Sequence, residues 1–379
     1  MAPSLSSPKT ISQTFSLIPS HSFSLVSHRL PNYRNLLPRT HEPSLRLKHG
    51  IQLSFDTNSM GGFRCGAILS DVERERNYRK IGSQSTGSLS ANQLLELVEA
   101  AAKTGAQVVM EAVNKPRSIT YKGTTDLVTD TDKRSELAIL EVVRDNFNDH
   151  LILGEEGGLI GNTSSDYLWC IDPLDGTTNF AHGYPSFAVS VGVLFRGRPA
   201  AAAVVEFVGG PMCWNTRTFS AATGGGAFCN GKRIHVSATD QVEQSLLVTG
   251  FGYEHDDAWA TNIDLFKEFT DISRGVRRLG AAAVDMCHVA LGIVEAYWEY
   301  RLKPWDMAAG VLIVEEAGGS VTCMDGGNFC VFDRSVLVSN GALHGKLLER
   351  IGPATEKLKS KGLLVPVLML VLLHSISIN

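Results

Sequence analysis

Residues 169–180 read WCIDPLDGTTNF, and this stretch decides the fold. Leu168 to Ile171 form an apolar run of strand character that ends on two carboxylates, Asp172 and Asp175. Carboxylates that converge repel each other unless positive charge stands between them. At the C-terminal end of a strand they can meet on one hard cation such as Mg2+, which takes oxygen ligands. Pro173 excludes a helix, so the carbonyl of Leu174 can turn toward the same ion. Gly176 has no side chain and lets a ligand approach the backbone. The amides of Gly176, Thr177 and Thr178 can open a short helix, where N–H groups bind phosphate. Taken alone, D-x-x-D is more often a solvated turn. An EF-hand is excluded, because the alternating ligands and closing glutamate are missing.

Three further acidic stretches change that balance. Asp126 to Asp132, DLVTDTD, leads into a helix expected from about Asp132 to Phe147; capping alone accounts for one aspartate there, such as Asp130. Glu155 and Glu156 follow Gly154 at the end of the strand Leu151-Ile152-Leu153. Asp306, in PWDMAAG (304–310), opens an apolar helix, where an acid beside the N-terminal dipole is also ordinary.

Together, DLVTDTD, GEE, WCIDPLDGTTNFAHGYP and PWDMAAG resemble the inositol monophosphatase family, over roughly residues 90–355. The resemblance implies an α+β fold, a layered α-β-α-β-α sandwich of the inositol monophosphatase / fructose-bisphosphatase type. It implies that Glu155, Asp172 and the Leu174 carbonyl hold one Mg2+. Asp172, Asp175 and Asp306 would hold a second, with Asp172 bridging, and a third ion would bind near Glu155. Glu156 then stands behind the ligands. Thr177, hydrogen-bonded to Asp132, would orient the attacking water, and the amides of Gly176, Thr177 and Thr178 would face the phosphoryl oxygens. No covalent phosphoenzyme is implied. Lys122 matches a lysine near the site, Glu299 a glutamate that contacts inositol hydroxyls, and Gly280-Ala281-Ala282 the loop beside it.

On this resemblance the chain is a lithium-sensitive inositol-phosphate phosphatase acting on myo-inositol monophosphate, and a homodimer. Glu295 stands where inositol-specific members often carry aspartate, with a longer side chain toward the polyol pocket. That leaves broader sugar phosphates open, L-galactose 1-phosphate among them. Asn179-Phe180 after the two threonines speaks against the histidinol-phosphate and nucleotide-bisphosphate branches. A non-catalytic metal-binding scaffold would be expected to lack one of Asp132, Glu155, Asp172, Asp175, Thr177 or Asp306, and all six are present. Asp175→Asn is expected to abolish turnover with little loss of fold, as a change in a solvated ligand cluster.

The remainder of the chain sets the frame. A net charge of -4 indicates no general attraction to nucleic acid or anionic membrane. The seven cysteines form no C-x-x-C pair and are expected to be small buried hydrophobes. Residues 1–66 are rich in serine and basic residues and poor in acids, the profile of a transit peptide that directs import to the chloroplast stroma. A linker is expected over 67–88, the catalytic domain over 89–358 with halves 89–230 and 231–358, and an apolar tail of unassigned role over 359–379. The apolar run in that tail is too short for the roughly 20 residues that span a bilayer.

Ser90-Ala91-Asn92-Gln93 reads as a capping box before an amphipathic helix. Strands are expected between 186 and 219 and at 336–338. Further helices are expected near 258–270, 281–291, 304–317 and onward to about 357. Turns are expected at Gly224-Gly225-Gly226 and Asn230-Gly231.

Overall fold

The computed structural model describes residues 78–116, 118–123 and 126–364. The expected transit peptide and most of the apolar tail lie outside the described residues. In chain order the elements are α1 (Ala91–Ala112), β1 (Ile119–Tyr121), β2 (Leu127–Thr129), α2 (Asp130–Asn146), β3 (Leu151–Gly154), β4 (Gly158–Gly161), β5 (Tyr167–Asp175), α3 (Thr177–His182), β6 (Phe187–Phe195), β7 (Arg198–Val208), β8 (Asn215–Ala222), β9 (Gly226–Cys229), β10 (Lys232–Arg233), β11 (Leu246–Thr249), α4 (Asp257–Ile272), β12 (Gly275–Arg277), α5 (Ala282–Ala290), β13 (Ala296–Tyr300), α6 (Pro304–Glu316), β14 (Ser320–Thr322), β15 (Ser335–Ser339) and α7 (His344–Ser360).

Two mixed sheets organise the chain. The larger runs β10-β9-β8-β7-β6-β5-β3-β4, and the smaller runs β12-β11-β13-β15-β14. Helices α1 and α2 cover one face of the large sheet, α5 and α6 lie between the sheets, and α4 and α7 cover the far face of the small one. This is the five-layer α-β-α-β-α sandwich that the resemblance implies.

Sequence pattern explains the layers. On β7, Ala201, Ala203, Val205 and Phe207 point to the α1/α2 core, while Ala202 and Val204 point to the α5/α6 core. A strand buried on both faces reads as a continuous apolar run, not an alternation. Helix α6 is enclosed by two sheets and is apolar on nearly every side for the same reason. Where α6 crosses β6 the chain carries Gly192; a Cβ there would stand 2.9 Å from the Cβ of Ala308.

Several boundaries differ from expectation. The capping box at Ser90 and Gln93 forms as read. Helix α2 begins at Asp130 rather than Asp132, because Thr129 is its N-cap and Asp132 reaches back to the Thr129 amide; Asp130 caps nothing. Strand β5 does not stop at Ile171 but continues through Asp175, with its register against β6 shifting between Asp172 and Asp175. The expected linker is already part of the fold at Ile81, which is buried and donates its N–H to Glu315. Helix α7 runs to Ser360, and Leu363 and Leu364 pack on the α4/α7 core.

The six described cysteines are free. Cys170, Cys287 and Cys323 are buried as expected, but Cys213 and Cys330 are exposed. The triple-glycine turn joins β8 to β9, and the amides of Gly224 and Gly226 donate to Glu316. Among the described residues no helix is long and apolar enough to cross a membrane.

Candidate active site

A cleft of about 570 Å³ opens between the C-terminal end of β5 and the small sheet. Lys122, Glu155, Asp172, Leu174, Asp175, Gly176, Thr177, Gly280, Ala281, Ala282, Glu299 and Asp306 all line it. Asp132, Glu156, Thr178 and Glu295, also singled out in the sequence, are not in that lining. Asp132 is buried behind Thr177, whose hydroxyl donates to its Oδ1 at 3.0 Å.

The four aspartates each accept backbone amides, and all but Asp172 do so at the start of a helix. Asp172 accepts the Leu174 N–H at Oδ1, 3.1 Å away. Asp175 accepts the first two amides of α5, from Ala282 at 3.1 Å and Ala283 at 2.7 Å. The residue before α5, Ala281, offers no side-chain cap, so Asp175 supplies it from β5. Asp306 accepts the N–H of Lys303 at 2.6 Å, at the start of α6. Asp132 accepts the Thr129 N–H at 3.0 Å and the Thr129 hydroxyl. The expectation that Asp175 belongs to a solvated cluster is therefore corrected: it is buried and starts a helix.

Burial dominates the electrostatics. It drives the Asp172 carboxyl well above the usual carboxylate range, reinforced by the charges of Glu155, Asp175 and Asp306. Burial pushes Asp175 up to about 6 against the opposing pull of the α5 amides. It raises Asp306 strongly and Glu155 to about 7, with Lys122 opposing the latter. Burial also works against the Lys122 ammonium, but Glu155 and Glu156 outweigh it and hold it above the ordinary lysine value. Lys122 Nζ lies 3.1 Å from Glu155 Oε1 and also contacts Glu156 Oε1. Glu299, on β13, is pushed up to about 7 by burial and accepts the Tyr297 hydroxyl.

The residues fit hard divalent cations. Four carboxylates, the buried Asp172 and Asp175 and the half-buried Glu155 and Asp306, face one cleft with an all-oxygen donor set, and three of them raise the fourth. Among the described residues no three acidic, histidine or cysteine side chains are already closed into a cage.

Glu295 is a correction. It sits at the far end of β13 from Glu299, accepting the Leu246 N–H at 2.6 Å and the Thr239 hydroxyl at 3.1 Å, and is absent from the cleft lining. Its length therefore cannot shape a polyol pocket. Sequence reasoning also missed Glu136 on α2, which accepts the N–H groups of Glu156 at 2.9 Å and Gly157 at 2.6 Å and so fixes the GEE turn. Tyr253, Arg301 and Arg334 also line the cleft. No spacing signal marks them, and an isolated arginine in sequence looks like any surface arginine.

Residues 90–359 match the Inositol monophosphatase family. The chain is 72% identical over 353 residues, 92% of its length and 95% of the relative's, to a protein of Arabidopsis thaliana named Phosphatase IMPL1, chloroplastic. It is 39% identical over 263 residues, 69% of this chain and 90% of the other, to an Inositol-1-monophosphatase of Synechocystis. The solved structure of an inositol monophosphatase from Anabaena superposes with a TM-score of 0.60 at 38% identity, covering 70% of this chain and 96% of that one.

Proposed function

The chain belongs to the inositol monophosphatase family of phosphatases, and from that premise we propose that it is a Mg2+-dependent phosphomonoesterase whose first substrate is myo-inositol monophosphate. The observation that carries this reading is the set of four carboxylates, Glu155, Asp172, Asp175 and Asp306, lining one cleft beside the Thr177–Asp132 pair. Glu155, Asp172 and the Leu174 carbonyl would hold one ion, Asp172, Asp175 and Asp306 another, and Glu155 would face a third. When bound, Mg2+ supplies positive charge and Lewis acidity at the phosphoryl group.

The chain's own groups do the rest. The Thr177 hydroxyl donates to Asp132, which leaves its oxygen lone pairs to accept from the attacking water. Burial raises the Asp132 carboxyl above the ordinary aspartate value, which suits a group that must receive a proton. The amides of Gly176, Thr177 and Thr178 face the phosphoryl oxygens as charge develops on them. Gly176 is held at φ +84, and a Cβ there would lie 2.9 Å from the Ser186 carbonyl, so no side chain fits at this turn. Glu299 and the loop Gly280-Ala281-Ala282 bound the polyol, and Lys122 holds Glu155 in place.

Sugar phosphates such as L-galactose 1-phosphate are the alternative substrates. The same reading includes inhibition by Li+, a homodimer and residence in the chloroplast, the last supported by the name of the Arabidopsis relative. Phosphate release from a panel of phosphomonoesters, with and without Mg2+, tests the proposal. Turnover that survives chelation, or survives Asp172→Asn, would overturn it.

A further inference from the structure

A separate pocket of about 310 Å³ lies outside the cleft and shares no lining residue with it. One side is the segment Arg79-Lys80-Ile81, which precedes α1 and falls outside the residues 90–359 that match the family. Arg198, at the start of β7, lines it as well. The connection between β14 and β15 supplies the other side with Phe329, Cys330 and Val331.

Both sides are pinned. The Ser83 N–H donates to the Pro199 carbonyl at 2.7 Å, and the Ile81 and Gly82 amides donate to Glu315 at 2.6 and 2.8 Å. On the other side Val331 is buried in a cluster with Leu194 and Ala308, and the Cys330 N–H donates to Asp333 at 2.7 Å. The pocket is therefore formed before any ligand enters, and its volume is at the small end of the range for ligand sites.

Its charge is one-sided. Arg79, Lys80 and Arg198 line it, and no acid does. Among the described residues none of these cations has a carboxylate partner. Arg198 is half-buried, and carbonyls alone hold its guanidinium. Its Nε donates to Gly82 at 3.1 Å, and its Nη2 donates to Gly82 at 2.8 Å and to Lys80. Carbonyls fix the orientation of the fork but supply no counter-charge, and Nη1 is left over. The acids that touch the same segments are engaged elsewhere: Glu315 takes two amides, Asp166 pairs with Arg196, and Asp333 takes the Cys330 amide.

A preformed pocket with uncompensated cations draws in an anion. An oriented guanidinium beside two flexible cations suits the several oxygens of a phosphate. Ile81, Phe329 and Val331 add apolar surface next to them.

We propose that this pocket binds a phosphate group, either free orthophosphate or the phosphoryl head of a small metabolite. The proposal goes beyond the phosphatase reading and does not depend on it, since no cleft residue takes part.

Cys330 is exposed and lines the pocket, so it reports on occupancy; the exposed Cys213, between β7 and β8, is the reference. The test uses the full chain in chelator, with alkylation of each cysteine followed by peptide mass spectrometry. The rate with iodoacetate divided by the rate with iodoacetamide cancels the reactivity of the thiol itself. At low salt this quotient should be about tenfold higher at Cys330 than at Cys213, because the cations concentrate the anionic reagent. The excess should disappear when Arg79→Gln and Lys80→Gln are combined, two exposed positions whose change leaves the core untouched. Equal quotients in the wild type overturn the proposal.

Orthophosphate at constant ionic strength should also slow iodoacetamide at Cys330 about tenfold when present at about ten times its Kd, and leave Cys213 unchanged. That protection should vanish in the double variant and persist in Asp172→Asn, which alters the cleft alone. Phenyl phosphate separates the two sources. Protection at a concentration about tenfold lower than orthophosphate needs identifies a metabolite whose body covers Phe329, and equal or weaker protection identifies free phosphate. No protection by either probe in the wild type, protection that survives the double variant, or protection lost in Asp172→Asn overturns the proposal.

Discussion

Asp132→Asn keeps the shape of a side chain that is 1% exposed and reverses one hydrogen bond. In the native arrangement Oδ2 takes the Thr129 N–H at 3.0 Å together with the Thr129 hydroxyl, and Oδ1 takes the Thr177 hydroxyl at 3.0 Å. Asparagine can keep an oxygen on Thr129, which places its NH2 against Thr177. The Thr177 hydroxyl must then accept from residue 132 and donate to its other partner, the Leu174 carbonyl, also 3.0 Å away. Residue 132 then takes one of its two lone pairs, its proton points away from residue 132, and residue 132 cannot take a proton. Loss of positioned proton transfer is worth about 10²- to 10⁴-fold in rate, or about 3–5 kcal/mol of barrier.

Stability should change little in the same variant. A charge-assisted bond to the Thr129 hydroxyl weakens, but so does the burial penalty that raises the Asp132 carboxyl. The net shift should lie within about 1 kcal/mol, the size of one ordinary hydrogen bond. Phosphate release at saturating Mg2+ reads the rate, and urea unfolding reads the stability. Because Thr177 and Asp132 act as one unit, Asp132→Asn combined with Thr177→Val should be no slower than the worse single variant. Turnover of Asp132→Asn within threefold of wild type, or fully additive losses in the double variant, would refute the reasoning.

Three further outcomes follow from the same geometry. Asp172→Asn should abolish turnover but be at least as stable as the wild type without metal, since burial and three neighbouring charges all disfavour its ionised form. Mg2+ should raise the unfolding midpoint of the wild type and leave this variant unmoved; equal shifts in both would place the ion elsewhere. Asp175→Asn can keep only one of the two α5 amide bonds and should cost about 1–3 kcal/mol along with turnover, so a wild-type midpoint would show that the cap is idle. His344 is buried, and burial pushes its pKa down to about 3 from 6.5. Thr322 donates its hydroxyl hydrogen to the Cys323 carbonyl, so it accepts from His344 Nε2, while Ser339 faces Nδ1. The unfolded chain therefore binds a proton that the folded one refuses. Stability from the neutral ring is full above about 6.5 and is lost as pH falls toward 3, amounting to about 2 kcal/mol between pH 7 and pH 5. Urea midpoints at the two pH values should converge in His344→Asn relative to wild type; identical slopes would remove His344 from the account.

The acidic side of the site is legible in the sequence because each acid sits in a short motif with a conformationally special neighbour. Pro173 and Gly176 mark the β5 turn, Gly154 precedes Glu155, and Pro304 opens α6. The basic side is not legible. Arg301 and Arg334 meet only through the antiparallel pairing of β13 with β15, and nothing local announces it. The same holds for Asp175 and the α5 amides, which tertiary folding alone brings together. The start of α2 was displaced by competition between two plausible caps, Thr129 and Asp130, and the box closed by Asp132 decides for Thr129. Glu295 and Glu299 share one stretch but lie about 13 Å apart along a strand at roughly 3.3 Å per residue, so only one can reach the cleft.

The attachment of Asp132, Asp175 and Asp306 to helix origins has an evolutionary corollary. Asparagine in those places can still accept one backbone amide through its side-chain oxygen but makes a poorer partner for a divalent ion or a proton. A descendant of this chain could exchange those acids one at a time, forfeit hydrolysis and still fold. Chemistry in this scaffold is thus easier to lose than shape, and kinship by itself is weak testimony that a given copy still turns over.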